Sequence, residues 1–219
     1  MKIDDVFDRK ELDLDSTFQK LQTTLKNNGG FIDRLLKIPN FNDEPKFFHY
    51  SGIVEKSSIY PAFNSSGCSI DDKKAQTKVL GETVERYCQY SYLPKNYLIS
   101  SYKNLDVNAL NPTEVISFSK SQFKTGLFEP FRVSENDNFR WIQGISLLKK
   151  KSKWVPFQLI SINYNLKDEK IIRIPITSGA SFGTSMAGAS CRAIWECIER
   201  DAFVISYLVI SPMSAFFIV

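Results

Sequence analysis

The most restrictive feature of this sequence is a loop rich in small and hydroxyl residues that leads directly into an amphipathic helix at residues 177–202. This stretch reads TSGASFGTSMAGASCRAIWECIERDA. At about 100° per residue, its apolar side chains share one stripe and its charged side chains lie on the other side. The pattern predicts that the stripe is packed in the core. Its members are Cys191, Ile194, Trp195, Ile198, Ala202, Ile205 and Val209.

A second predicted helix carries the same charged motif. The order Glu-x-x-Glu-Arg occurs at residues 82–86 and again at residues 196–200. For one such block alone, the ordinary interpretation is a solvated helix face with an ion pair between Glu196 and Arg200. The block occurs twice, and if the two helices pack side by side, their four carboxylates meet in one place. Four carboxylates in one place would require divalent cations or a polyanionic ligand.

The loop before the second motif has the composition of a phosphate site. Gly179 and Gly183, with the hydroxyls of Ser181 and Thr184, supply small residues and backbone N–H groups at the start of a helix. Such loops are common, so the functional interpretation depends on the loop and both Glu pairs together. The sequence contains neither a Gly-x-x-x-x-Gly-Lys-[Ser/Thr] motif nor a dinucleotide fingerprint, which excludes a P-loop.

These motifs resemble the YcaO family, ATP-dependent enzymes that activate backbone amides in azoline-forming cyclodehydratases and peptide thioamidation proteins. Residues 66–87 resemble the family's first Gly-rich turn and Glu-x-x-Glu-Arg helix, and residues 177–202 resemble the second. Lys10, with Thr17 seven residues later and a helix closing at Asn28-Gly29, fits a spacing near the start of some members.

The resemblance implies ATP and Mg²⁺ as cofactors and suggests which residues would hold them. The implied metal ligands are Glu82, Glu85, Glu196 and Glu199. The implied nucleotide contacts are Lys10, Thr17, Ser181, Thr184 and Arg200, and Arg200 is also the implied catalytic residue because it would offset charge developing on the phosphates.

The activity implied by the resemblance is phosphorylation of a peptide carbonyl oxygen after a nucleophile has added to the amide, yielding an azoline or a thioamide. The substrate would be a peptide or protein. No leader-peptide recognition domain is visible, so a partner protein for substrate delivery is expected, and a homodimer is left open. The alternative is a catalytically incomplete relative that acts as a scaffold or regulatory partner, so the sequence leaves enzymatic activity undecided.

The order of elements favours an α+β fold over a doubly wound sheet, because strands and helices lack a regular βαβ alternation. The resemblance implies a mixed, mainly antiparallel sheet flanked by helices. Residues 140–147 and 154–160 predict two antiparallel strands joined by a lysine-rich turn, and residues 171–176 predict a further strand. We also expect a helix starting at residues 15–17 and a turn at residues 64–67, followed by a helix capped by Ser69.

Charge and cysteine content exclude several classes of protein. The net charge of +4 is mild, and the lysine run at residues 149–153 is better explained as a hairpin turn than as a nucleic-acid site. Four cysteines without a Cys-x-x-Cys pair and a single histidine give no zinc pattern. The chain is therefore expected to be reduced and cytoplasmic.

The last stretch, residues 202–219, carries no charge and reaches the roughly 18-residue lower limit for a membrane span. Pro212 interrupts it and no Lys or Arg follows, which favours a buried helix followed by a core strand over a membrane anchor. The start of the chain lacks the apolar region of a secretory signal. We expect residues 1–219 to form a single YcaO-like domain that is a fragment, incomplete at its C-terminus.

Overall fold

The computed structural model describes residues 10–27, 32–58, 60–105, 108–115, 118–166 and 168–209. The chain divides into two units. Within the described residues, the terminal unit comprises residues 10–52, 65–85 and 178–209, and the central unit comprises residues 53–64 and 86–177. Each unit has its own hydrophobic cluster.

The terminal unit contains a three-stranded sheet in the order β1-β2-β3 and three long helices, of which α2 continues into the central unit, as do β2 and β3. Its elements are α1 (Leu14–Asn27), β1 (Arg34–Ile38), β2 (Phe48–Val54), β3 (Phe63–Ser69), α2 (Asp72–Ser91) and α4 (Met186–Val209).

Helix α1 confirms the predicted first helix, but its N-cap is Asp13. The Asp13 carboxylate accepts hydrogen bonds from the backbone N–H of Ser16 at 2.8 Å and from its hydroxyl at 3.0 Å. These bonds hold the pKa of Asp13 below its usual value. The side chain at the cap thus satisfies an N–H group that the helix leaves without a partner.

The predicted turn at residues 64–67 is wrong, because β3 runs through it. Phe63, Ser65 and Gly67 alternate as its buried positions. A Cβ atom at Gly67 would lie 2.3 Å from the carbonyl oxygen of Ala75 in α2, so this glycine permits close packing of strand and helix. The cap of α2 is likewise Asp71, whose carboxylate accepts from the N–H of Lys74 at 2.7 Å.

Helices α1 and α2 pack together through one apolar cluster. Leu21 and Leu25 of α1 and Leu80 of α2 are buried there, each worth about 1.5–3 kcal/mol of hydrophobic stabilisation. A buried hydrogen bond of 2.7 Å between the hydroxyls of Ser65 and Thr83 joins β3 to the same helix. The position of α2 is therefore fixed on two sides.

The central unit contains an antiparallel sheet in the order β4-β5-β6. The strands are β4 (Leu98–Ser101), β5 (Asn138–Ser146) and β6 (Lys151–Pro156), and the short helix α3 spans Lys120–Lys124. β5 and β6 confirm the predicted hairpin, with residues 147–150 as its turn. The α+β class is also confirmed, with the strands divided between two sheets.

The predicted strand at residues 171–176 is wrong, since the structure has no strand in that stretch. Ile172 is fully buried against Phe139 and Trp141. Its backbone N–H donates to the side-chain oxygen of Gln158 at 2.8 Å. The Gln158 side chain thus satisfies the backbone N–H that a neighbouring strand would otherwise bind. Ile172 is therefore buried without being part of a sheet.

The prediction that the α4 stripe is core is also wrong. Trp195 is 72% exposed and Ile198 is 62% exposed, and Ile194 and Ile205 are exposed as well. Helical periodicity identifies which side chains share a face, whereas burial needs another element to cover that face. Within the described residues, no element does so. The side chain of Val209 and the core strand expected after Pro212 lie outside the described residues.

None of the described helices combines the length and apolar character that a membrane crossing requires.

A nearly buried ion pair anchors the segment that follows β6. Arg140 and Glu169 are 3.0 Å apart, and both side chains are largely buried. The Tyr164 hydroxyl donates to Glu169 at 2.5 Å and accepts from Arg140. Partial burial and then the bond to Glu169 raise the pKa of Tyr164 to about 12.

We expect Tyr164→Phe to lower the free energy of unfolding by roughly 1.5 kcal/mol at pH 8, because it removes a hydrogen bond to a charged group. The folded-state pKa of Tyr164 lies above the usual value of about 10. The stabilisation is therefore present below pH 10 and lost as the pH rises toward 12. Urea denaturation at pH 8 and pH 11.5 should give a smaller difference between native and variant at the higher pH. Tyr92→Phe, at a half-exposed tyrosine, is the control; an equal difference at both pH values would contradict the assignment.

We expect Gly67→Ala to destabilise the chain by about 1–3 kcal/mol or more, because the added methyl group meets α2 backbone atoms that cannot move independently. Gly144→Ala is a matched control, since a Cβ atom in this other strand would meet its neighbours only at ordinary distances of 3.5 Å or more. Thermal and urea denaturation of both variants measure the difference. Equal stability would contradict the close packing of β3 on α2.

Candidate functional site

A cavity of about 440 Å³ lies within the terminal unit. Three parts of the chain form its wall: the residues at the start of α1, one face of α2, and the loop that leads into α4. Its volume falls within the range of roughly 300–1,000 Å³ that is usual for small-molecule sites. The lining residues are Glu11, Leu12, Leu14, Thr17, Lys74, Thr77, Lys78, Gly81, Glu82, Glu85, Ser181, Phe182, Gly183, Thr184 and Arg192.

Glu82 and Glu85 both reach this cavity because residues three apart on a helix share a face. The Oε2 atom of Glu82 accepts from the backbone N–H of Ser66 in β3 at 2.7 Å. The Oε2 atom of Glu85 accepts from the N–H of Phe182 at 3.1 Å. Each carboxylate is thus oriented by a backbone donor from a different part of the chain.

Gly81 explains how the loop comes so close to α2. A Cβ atom at this position would lie 2.9 Å from the aromatic ring of Phe182. The ring packs instead against the cluster containing Leu21, Leu25 and Leu80. With the partly buried ring in this position, the N–H of Phe182 reaches Glu85, so the apolar packing helps to orient an acidic side chain.

The loop before α4 carries the hydroxyls predicted from sequence. The Thr184 hydroxyl oxygen accepts from the N–H of Leu12 at 3.0 Å, and the Ser181 hydroxyl donates to the carbonyl oxygen of Phe182 at 3.3 Å. Ser185 caps α4 by accepting from the N–H of Gly188 at 3.0 Å. The loop therefore presents hydroxyls and a helix N-terminus, which together suit an anionic ligand.

Glu11 and Arg192 form an ion pair at the edge of this cavity that the sequence reading missed. Arg192 Nη2 lies 2.8 Å from Glu11 Oε2 and 3.0 Å from Oε1, and Nη1 also donates to Oε1. The residues are 181 positions apart, and no local motif marks either one. Only the fold relates them.

Charges of both signs line the cavity in equal number. Glu11, Glu82 and Glu85 face Lys74, Lys78 and Arg192. The Lys78 ammonium group donates to the carbonyl oxygen of Cys68 at 2.8 Å. Because the formal charges balance, a polyanionic ligand would fit best together with additional cations.

The structure gathers some of the predicted site residues and separates others. Thr17, Glu82, Glu85, Ser181 and Thr184 all line the one cavity. Thr17 is buried, and its hydroxyl donates to the carbonyl oxygen of Leu12 at 3.4 Å.

Four predicted site residues do not line the cavity, namely Lys10, Glu196, Glu199 and Arg200. Glu196 pairs with Arg200 at 2.8 Å, the ordinary i,i+4 contact. With a rise of about 1.5 Å per residue, Glu196 lies about 12 Å along α4 from Gly188 in its first turn. The roles assigned to these four residues stay predictions.

Among the described residues, no group of three or more His, Cys, Asp or Glu side chains could hold a metal ion. This donor set fits Mg²⁺ with a nucleotide better than a metal held by protein alone, since Mg²⁺ is usually bound by one or two carboxylates plus substrate phosphates. Glu82 and Glu85 could supply such carboxylates, and the loop hydroxyls could contact phosphate.

The fold has solved relatives. A heterocyclase in complex with substrate and cofactor matches 89% of this chain with a TM-score of 0.72 and 21% identity. The YcaO protein of Methanopyrus kandleri bound with AMPPCP and Mg²⁺ matches 90% with a TM-score of 0.64 and 14% identity. This chain spans 28% and 45% of the lengths of those two chains. No curated protein is similar enough in sequence to count as a match.

Residues 66–212, more than half of the chain, match the family model described as YcaO cyclodehydratase, binding ATP and Mg²⁺. This match includes both Glu-x-x-Glu-Arg motifs and the loop before α4. The predicted cofactors, ATP and Mg²⁺, are confirmed by the family description. The chain belongs to the YcaO family.

Proposed function

We propose that this chain takes part in the Mg²⁺-ATP-dependent activation of a peptide backbone amide, leading to an azoline or a thioamide. The observation that carries the proposal is the single cavity in which Glu82, Glu85, Ser181 and Thr184 meet, beside Thr17. The solved heterocyclase was captured with substrate and cofactor. A peptide as the class of substrate is part of the proposal. A partner protein that delivers the peptide is part of the proposal, as is a cytoplasmic location.

Each group in the cavity has a chemical task in this proposal. The carboxylates of Glu82 and Glu85, oriented by the N–H groups of Ser66 and Phe182, would bind Mg²⁺. The hydroxyls of Ser181 and Thr184 would donate to phosphate oxygens. Arg200, Glu196, Glu199 and Lys10 would complete the site as the family resemblance implies.

ATP supplies a phosphoryl group that turns the amide oxygen into a leaving group. A nucleophile forms a bond to the carbonyl carbon, the amide oxygen takes the terminal phosphoryl group and ADP is released. Phosphate then departs with that oxygen as the C–O bond breaks. The amide nitrogen loses its proton as C=N forms, or the added sulfur loses its proton as C=S forms. The task of the protein is to hold the reacting groups in line and offset the charge on the phosphates.

A second candidate is a catalytically incomplete scaffold or regulatory partner. The exposed apolar face of α4, which includes Trp195 and Ile198, favours it because docking onto another protein would cover that surface. Nucleotide binding separates the two functions, since a scaffold has no need of it. A homodimer is a further form that such docking could take.

We expect the purified chain to bind ATP in the presence of Mg²⁺ and not in EDTA, because carboxylates in the cavity repel a triphosphate unless cations intervene. At about 100 times the dissociation constant, a ligand stabilises the folded state by about 2.7 kcal/mol. For a chain of this size the melting temperature should then rise by roughly 5–10 °C. Thermal shift and isothermal calorimetry measure both effects; equal binding in EDTA would count against the proposal.

We expect Glu82→Gln and Glu85→Gln to weaken Mg²⁺-ATP binding by about tenfold or more, which corresponds to roughly 1.4 kcal/mol. The apo chain should lose little stability, because each variant keeps the shape of the side chain. Glu199→Gln, at an exposed residue outside the cavity, is the comparison. An equal loss in Glu199→Gln would support the full set of four ligands; no loss in Glu82→Gln and Glu85→Gln would refute the site.

A further inference from the structure

Gly188, in the first turn of α4, leaves room for the carboxylate of Glu11. A Cβ atom at this glycine would lie 1.8 Å from Glu11 Oε1 and 2.5 Å from its Cδ. Glycine in a helix costs about 1 kcal/mol relative to alanine, and Gly188 is not among the described glycines with positive φ. The carboxylate of Glu11 therefore occupies the space that a side chain at this position would take.

The partner of Glu11 in this position is replaceable. Arg192 contacts both carboxylate oxygens, but the two side chains are 49% and 36% exposed. Ion pairs this accessible to water contribute about 0–1 kcal/mol, so another anion or cation can displace either partner at little cost. The ion pair orients the two side chains but is weak enough for either of them to take another partner.

Both residues also belong to the cavity that contains Glu82 and Glu85. Arg192 Nη1 donates to the carbonyl oxygen of Phe182 at 3.3 Å, and the N–H of the same residue holds Glu85. A planar guanidinium group matches phosphate oxygens as well as it matches a carboxylate. A ligand in the cavity would therefore lie close to this ion pair.

We propose that Glu11 and Arg192 are further residues of the nucleotide site and that they exchange partners when Mg²⁺ and nucleotide enter together. Arg192 turns from Glu11 to a phosphate, and the carboxylate of Glu11 turns to the cation. This inference rests on the proposed function. Its physical consequence is coupling: nucleotide alone would leave the Glu11 charge without a partner beside phosphate, so Glu11 makes nucleotide binding depend on Mg²⁺.

The first test measures nucleotide binding by the 219-residue chain over a series of Mg²⁺ concentrations. For Glu11→Gln we expect the Mg²⁺ concentration at half-maximal ATP binding to rise about fivefold or more. Arg192→Met should weaken ATP binding at saturating Mg²⁺. Glu129→Gln is the matched control, because Glu129 also forms an exposed pair with an arginine, Arg132, at 2.7 Å, and belongs to the central unit.

The second test moves the carboxylate to the other side of the same space. Glu11→Ala removes it, and adding Gly188→Asp returns a carboxylate from α4. We expect this double variant to recover much of the Mg²⁺ dependence that Glu11→Ala loses. Glu11→Ala with Gly188→Ala fills the space without charge and should not recover it. Circular dichroism of each variant checks that the fold is kept.

Three results would overturn the inference. A Glu11→Gln variant with the native Mg²⁺ midpoint removes the role in cation binding. A Glu11→Gln variant that binds ATP more tightly by the same factor at every Mg²⁺ concentration makes Glu11 a competitor of phosphate only. If the native chain binds no nucleotide, the proposed function fails as well; if Glu82→Gln weakens binding and Glu11→Gln does not, only this inference fails.

Discussion

The close packing of α2 against β3 and against the loop before α4 is the constraint on which the terminal unit depends. Gly67 of β3 and Gly81 of α2 stand where a Cβ atom would meet the backbone of α2 and the ring of Phe182. The buried hydrogen bond between Ser65 and Thr83 fixes the same contact by a polar group. These contacts fix the distance of α2 from its neighbours, and the acidic face of the helix lines the cavity.

Local patterns predicted the elements that have a regular period and clear ends. The hairpin of β5 and β6 and the helices α1, α2 and α4 follow from apolar periodicity and turn residues. Sequence reasoning failed where a residue has more than one local use. Glycine is common in turns, but it also permits close packing in a strand. At Gly67 the second role applies because the carbonyl oxygen of Ala75 lies so close, which the local sequence does not reveal.

The candidate site was predictable where its residues lie in a motif. The spacing of Glu82 and Glu85, and the hydroxyls of Ser181 and Thr184, were visible in the sequence and meet in one cavity. Glu11 and Arg192 were not visible, because their contact depends on the whole path of the chain between them. The α4 stripe failed for the opposite reason, since a regular pattern cannot say whether a neighbouring element covers it.

The backbone donors that hold Glu82 and Glu85 also make these two carboxylates observable. The N–H of Ser66 and the N–H of Phe182 each end on one carboxylate oxygen. A hydrogen bond to a charged acceptor is shorter and stronger than one to a neutral acceptor, and a change in the charge that the oxygen carries alters the resonance frequency of the amide proton. Two amide signals, one from a strand and one from a loop, therefore report on the electrostatic state of two positions on a single helix. Their response can be followed separately in nuclear magnetic resonance spectra of the same sample.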